Sequence, residues 1–257
     1  MYQLIFPQGK TKALTFSYDD AQIYDEKLVK MFDRYGLKAT FHINSGRINK
    51  YPYINIEEIG RIYAGHEIAC HGFTHAWMRQ LSGGQLVMEV EEDRLTLEKY
   101  SGRIITGFSY PFGEFNFEIV STLQNLGIEY ARTTDNTGNF STPGDFLRWD
   151  PTCHHNTALK NKELIHSFLE APEWKTLPLL YIWGHSYEFE RDGTWGEMEQ
   201  LCKELSGRED IWYVTNLDYC RYIKAARNLV FSVDGTNVFN PSSTTVWLKN
   251  GDSILRI

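Results

Sequence analysis

No stretch of the chain approaches the roughly 18 consecutive apolar residues that a membrane-spanning helix requires, so no bilayer partner is expected. Positive charge is also short. Lys and Arg total 26 against 33 Asp and Glu, the net charge is −7, and no block of basic residues stands out. Nucleic-acid binding needs a basic stripe to displace counterions, so nucleic acid is not expected as a partner. Cysteine is sparse: Cys70, Cys153, Cys202 and Cys220 form no C-x-x-C pair and read as four thiols. Cys153-His154-His155 has the composition of a metal cluster, but adjacent side chains rarely converge on one ion. The first ten residues lack a basic segment followed by an apolar one, which points to the cytoplasm or to a secreted form whose leader has been removed.

What is present is ordinary for one large globular unit. The 257 residues are 42% hydrophobic and 23% charged. A chain of this size can bury its core without metal or disulfide staples, so a metal here would be catalytic rather than structural.

Short β-rich runs alternate with helical spacing almost to the end. Ala13–Tyr18 in sequence order (Ala-Leu-Thr-Phe-Ser-Tyr) reads as a strand, and Leu28, Met31, Phe32 and Tyr35 then follow helical spacing, stopped by Gly36. Strands are expected over residues 39–43, 66–70, 107–110, 128–132, 179–183 and 211–215. Capping boxes at Asn55/Glu58 and Ser82/Gln85 open helices reaching about Ala64 and Tyr100. Further helices are expected over residues 116–126, 163–169 and 196–205, and another is opened by Asn216. Residues 133–161 read as a long loop, a length that is usually functional. Repeated βα units argue for parallel strands with helices outside, a (β/α) barrel of the α/β class over residues 1–225. Residues 226–257 alternate apolar and polar positions around Asp234-Gly235 and Asn250-Gly251, predicting a small C-terminal antiparallel β appendage packed on the barrel.

In such barrels the chemistry sits at the C-terminal ends of the strands. There stand Asp19-Asp20, Asn44-Ser45, His71, Pro111-Phe112-Gly113 and His185. His71 and His75 lie four apart, a spacing that on one helical turn aims both imidazoles at one ion. Two surface histidines would show the same spacing. Of two adjacent aspartates, one can bind a cation while the other takes a proton from water; the alternative is that Asp20 caps the next helix. His185 ends an apolar strand, where it is either a general acid or a hydrogen-bonded core residue. One Asp with two His leaves open positions for water and substrate, the layout of a catalytic metal site.

The set resembles the polysaccharide deacetylases, carbohydrate esterase family 4 with the NodB-homology domain. Thr15-Phe16-Ser17-Tyr18-Asp19-Asp20 is similar to the family's first motif, and the run from Gly65 through His66-Glu67-Ile68-Ala69-Cys70-His71-Gly72-Phe73-Thr74 to His75 to its second. Phe108-Ser109-Tyr110-Pro111-Phe112-Gly113, Arg148-Trp149-Asp150 and Ile182-Trp183-Gly184-His185 stand where the third, fourth and fifth are expected. The resemblance covers roughly residues 13–220. It implies a distorted barrel of seven strands, with Asp19 as base, Asp20, His71 and His75 as metal ligands, and His185 as acid. Pro111, Phe112, Trp149, Arg148 and Trp183 would line the groove, with the Phe112 N–H facing the oxyanion. The implied ion is divalent, zinc by ligand type, with cobalt, manganese or nickel also suited. The implied reaction removes acetyl groups from N- or O-acetylated sugars, or cleaves a small acylated amine. Trp77, Trp149, Trp183, Tyr187 and Trp195 are candidates to stack on sugar rings, and His42, His154 and His155 to line the cleft. Three departures stand out: Ala21 follows the aspartate pair in place of glycine, Ser109 replaces an arginine that pairs with the base, and Trp183 replaces a leucine. Arg148 is the candidate to take over from that arginine. Rival readings are a small-molecule amide or imide hydrolase of the same barrel type and a carbohydrate-binding protein without turnover.

Overall fold

The computed structural model describes residues 2–172 and 177–257. In chain order the strands are β1 (Gln3–Ile5), β2 (Lys12–Asp19), β3 (Ala39–Ile43), β4 (Glu67–Cys70), β5 (Gly107–Ser109), β6 (Tyr130–Arg132), β7 (Cys153–His154), β8 (Leu179–His185), β9 (Ile211–Tyr213), β10 (Val230–Phe231), β11 (Val238–Phe239), β12 (Trp247–Asn250) and β13 (Ser253–Arg256). The α-helices are α1 (Asp25–Tyr35), α2 (Ile59–Ile62), α3 (Gly83–Ser101), α4 (Phe117–Asn125), α5 (His155–Lys160), α6 (Lys162–Leu169), α7 (Ser186–Asp192), α8 (Trp195–Leu205) and α9 (Asn216–Arg227).

Seven parallel strands follow one another in the order β6-β5-β4-β3-β2-β8-β7, curled into a distorted (β/α) barrel; β9 pairs with the first half of β2. Two edges approach each other through the segment entering β7. Trp149 N donates to Ala131 O and Thr133 N to Trp149 O on the β6 side, while Thr152 N donates to Tyr181 O on the β8 side.

Alternation along the strands separates two environments. Leu14, Phe16 and Tyr18 of β2 and Leu180 and Ile182 of β8 join the core under the helices, with Phe32, Phe41 and Leu97. The intervening positions face the other way: Thr15, Ser17 and Asp19 on β2, His42 on β3, and Tyr181 and Trp183 on β8. Toward the N-terminal end of the barrel this side is plugged by Phe6, Tyr130, Trp149, Tyr181, Tyr219 and Tyr222.

Local signals set most boundaries. Gly36 takes φ +65 and ends α1, with Leu37 N bonded back to Phe32 O. Ser82 N donates to Gln85 Oε1 and opens α3, and Asn116 Oδ1 accepts from Ile119 N to open α4. Asn55 caps only a short turn, Glu58 pairs with Arg61 instead of closing the box, and α2 ends at Ile62. The long loop expected over residues 133–161 instead contains β7 and α5. At the C-terminus, β12 pairs antiparallel with both β13 and β1, so the appendage incorporates residues 3–5, and β10–β11 form a separate hairpin. Among the described residues no helix is long and apolar enough to cross a membrane.

Candidate active site

The strand ends converge. Asp19 closes β2 and is in register with His42 on β3 and His185 on β8. His71 follows β4, Ser109 closes β5, Arg132 closes β6 and His154 closes β7.

Beyond Asp19 the backbone breaks from the sheet. Asp20 adopts φ +79 and Ala21 φ +52. The second value is the left-handed region that explains why glycine suits this place and alanine strains it by about 1 kcal/mol. Asp20 caps no helix, since α1 begins only at Asp25. Its Oδ1 is buried without a hydrogen bond and lies 3.9 Å from His71 Nε2 and 3.8 Å from His75 Nε2. One ligand atom from each of the three side chains falls within 4.8 Å of the others.

The two histidines do not share a helix, contrary to the simplest reading of their spacing. The loop between them turns at Gly72 (φ +77) and His75 (φ +60). A Cβ at Gly72 would also stand 3.1 Å from Glu89 Oε1. Two buried carboxylates one turn apart on α3 hold this loop. Glu89 accepts from Thr74 N (2.7 Å), the Thr74 hydroxyl (2.9 Å) and Ala76 N (3.2 Å). Asp93 accepts from His71 N (3.0 Å), Ser45 N (2.8 Å) and the Ser45 hydroxyl (2.6 Å). Burial raises the Asp93 carboxyl to about 7 despite those bonds. Asp93→Ala leaves Ser45 N unpaired and its hydroxyl with only a 3.4 Å contact to the residue 93 carbonyl, while His71 N keeps Ile43 O, and the expected loss is about 2 kcal/mol in urea unfolding. A loss below about 1 kcal/mol would mean that the loop holds itself.

His71 presents Nε2 to the cluster because Nδ1 is engaged by Ser109, 2.9 Å from its carbonyl and 2.7 Å from its hydroxyl. Burial, and then His71 beside it, lowers His75 to about 4, so it is neutral and able to donate a lone pair at neutral pH. The donor chemistry fits a divalent transition metal: one carboxylate, two imidazoles, and a buried carboxylate oxygen that nothing else satisfies.

Asp19 makes a buried ion pair with Arg132 Nη2 and accepts from the Ser109 hydroxyl at 3.3 Å. Burial pushes its carboxyl up, but the Arg132 guanidinium, followed by His71, His42 and His185, outweighs burial and holds it well below the usual carboxylate range. Arg148 does not fill this role; it pairs with Asp145 at the surface. Ser109 and Arg132 are register partners on β5 and β6, so the arginine reaches Asp19 from one strand further along, at the same height. The signal for it was available: Arg132 ends a strand, where the fold concentrates chemistry.

His185 ends β8 with Nδ1 3.4 Å from Glu188 Oε2. Burial lowers its pKa, but Glu188, Asp19 and Asp20 more than reverse that and raise it above the usual histidine value. Phe112, on the turn opened by the buried Pro111, has φ +59. Its ring stacks on Trp77 (centroids 3.7 Å, 6°) and meets His75 edge-on at 4.5 Å. Both stacked rings are 44% exposed, giving a flat apolar platform beside the cluster. Trp183 is buried, with Arg132 over its ring at 4.6 Å and its Nε1 bonded to Asn136.

Other expected residues lie elsewhere. Trp149 is buried among Tyr130, Phe146, Tyr181 and Tyr219 and offers no surface to a groove. Trp195 packs on Phe189 and Lys27, and Tyr187 flanks His185 at 5.3 Å. His42 is buried below Asp19, bonded to the Ser17 hydroxyl, and burial keeps it neutral. All four cysteines are buried free thiols.

Residues 7–131 match the sequence profile of the family described as polysaccharide deacetylase. A chitin deacetylase from Pestalotiopsis sp is 27% identical over 139 residues, 53% of this chain and 46% of that protein. The chain spans less than half the length of the curated relatives it matches. Among solved structures, a Mycobacterium smegmatis protein assigned to the polysaccharide deacetylases superposes with a TM-score of 0.65 at 18% identity, over 86% of this chain and 93% of that one. The peptidoglycan deacetylase PdaC of Bacillus subtilis does so at 0.57 and 19%, over 87% and 95%. At these identities the likeness is one of fold.

Proposed function

The chain belongs to the polysaccharide deacetylase family through residues 7–131, and from that premise we propose that it is a metal-dependent hydrolase removing acetyl groups from N-acetylated sugars. The observation that carries this reading is the cluster of Asp20, His71 and His75 at the strand ends, with the orphaned Asp20 Oδ1 among them and Asp19 and His185 in register beside it. Asp20 Oδ1, His71 Nε2 and His75 Nε2 would hold the ion, with zinc favoured by the donors and cobalt, nickel or manganese compatible. When bound, the ion supplies Lewis acidity for the acyl oxygen and lowers the pKa of water.

Asp19 takes the proton of the attacking water. It is ionised at every working pH, and Arg132 and the Ser109 hydroxyl fix its orientation. The same pairing lowers the basicity of Asp19 while fixing the direction in which it accepts the proton. His185 delivers a proton to the departing amine, and Glu188, Asp19 and Asp20 favour its charged form by raising its pKa. The Phe112 turn brings its backbone N–H toward the developing oxyanion. The Trp77–Phe112 platform supports a sugar ring by stacking and favours a carbohydrate over a small linear amide.

The test is elemental analysis of the purified protein beside a His71→Ala variant, with acetate release from N-acetylglucosamine oligomers measured on both. Bound metal and acetate release in wild type are expected, with one metal equivalent and the acetate release lost in the variant. Metal-independent acetate release, or no metal at this cluster after reconstitution, would end the proposal.

A further inference from the structure

Two of the adjacent residues Cys153, His154 and His155 do converge, and on an acid that is distant in sequence. The chain passes from β7 into α5 between His154 and His155, and this bend brings the two rings to 4.3 Å centroid separation. Glu188, one turn into α7, places Oε2 3.0 Å from His154 Nε2 and 3.3 Å from His155 Nε2. All three donor atoms lie within 4.8 Å of one another. Ligand atoms on a zinc tetrahedron with bonds of about 2.1 Å stand about 3.4 Å apart. The two contacts to Glu188 are therefore nearer to coordinated spacing than those of the Asp20 cluster, at 3.8 and 3.9 Å.

His155 points to a ligand rather than to a hydrogen-bonded cluster. It is fully buried, and neither ring nitrogen makes a hydrogen bond. Its Nε2 faces Glu188 without hydrogen-bond geometry, so the carboxylate leaves it unsatisfied. The ring cannot turn away. A Cβ at Gly184 would stand 2.0 Å from Nδ1, and Tyr18 and Phe189 flank the ring at 5.8 and 4.2 Å. A buried, locked imidazole with an empty nitrogen beside a carboxylate is a preorganised ligand. Burial also keeps it neutral, with its pKa near 3.

We propose that His154 Nε2, His155 Nε2 and Glu188 Oε2 form a second site for a divalent transition metal, separate from the Asp20, His71 and His75 set. Its open side faces His185, whose Nδ1 is 3.4 Å from the same Glu188 oxygen and is itself buried without a hydrogen bond. An ion here would sit behind the histidine assigned as acid, so its occupancy would be felt at the reaction without touching substrate. The site's existence does not rest on the deacetylase reading.

The experiment strips the full chain of metal and titrates it with Co2+, followed by visible absorption, and with Zn2+, followed by calorimetry. Wild type, His71→Ala, His154→Ala and the double variant are compared, each checked for folding by circular dichroism; Glu188→Gln replaces His154→Ala if the latter does not fold. Two equivalents are expected for wild type, one for each single variant and none for the double, with the cobalt spectrum of His71→Ala lost on changing His154 or Glu188. A folded His71→Ala protein that takes up no ion overturns this site and leaves the first reading standing. An equivalent retained in the double variant overturns it too, because the ion then lies elsewhere. A single equivalent in wild type, lost in His154→Ala but kept in His71→Ala, would support this site and remove the first.

Discussion

Asp19→Asn is expected to lower kcat for deacetylation by about 10²- to 10⁴-fold, the range spanned by a positioned general base, while leaving metal content and KM close to wild type. Asparagine preserves the size of the side chain: its one oxygen can stay with Arg132, which bonds Oδ2, while its amide nitrogen faces the Ser109 hydroxyl, which bonds Oδ1 and can turn to accept. It removes the charge that would accept a proton. Asp20→Asn separates the neighbouring roles: Asp20 supplies a ligand atom, so that variant should lose metal and activity together. The pair of variants distinguishes base from ligand at adjacent positions, which no single substitution does. Asp19→Asn protein with normal turnover and normal metal would take the base away from Asp19; loss of metal in that variant would show that Asp19 and Asp20 share the ion.

The sequence made the strand ends visible because chemistry and periodicity coincide there. Asp19, His71 and His185 each follow an apolar run, and the fold brings those ends to one rim. The interior of the site was harder to see. The loop between His71 and His75 has the spacing of a helix, yet Gly72 and Glu89 give it a different path. Glu89 and Asp93 lie on the same face of α3 as Leu86, Val90 and Leu97; an acid at a core position is the trace such clamps leave in a sequence. β7 is two residues long, too short for any alternation to register, so the segment carrying His154 and His155 read as loop. Trp149 sits beside Arg148 in sequence, but its bridge to Arg132 turns its ring into the aromatic plug. Glu188 has no signature in isolation, because its meaning comes from residues more than 30 positions away.

Arg132→Met is the more severe test of how the site is tuned. Arg132 is fully buried, and the variant leaves Asp19 as a buried charge without its guanidinium; breaking such a pair costs about 3–5 kcal/mol. The sign of the pH dependence follows from the opposing effects on Asp19. Burial raises its carboxyl and Arg132 is the largest influence lowering it. In wild type the folded value lies below the unfolded one, so this pair stabilises the protein above about pH 4 and that contribution is lost as pH falls. In Arg132→Met burial dominates, the folded value rises above the unfolded one, and the variant should recover stability relative to wild type as pH falls from 7 through that raised value to 4 and below. Activity should move in the same frame. Asp19 acts only when ionised, so the acidic limb of kcat/KM shifts to higher pH in the variant. Raising the basicity of Asp19 should also make the residual rate above that limb fall less than the loss of stability suggests. Urea unfolding at pH 4 and pH 7, with a pH–rate profile, measures both. An unmoved acidic limb would mean that Arg132 holds Asp19 in place without setting its charge.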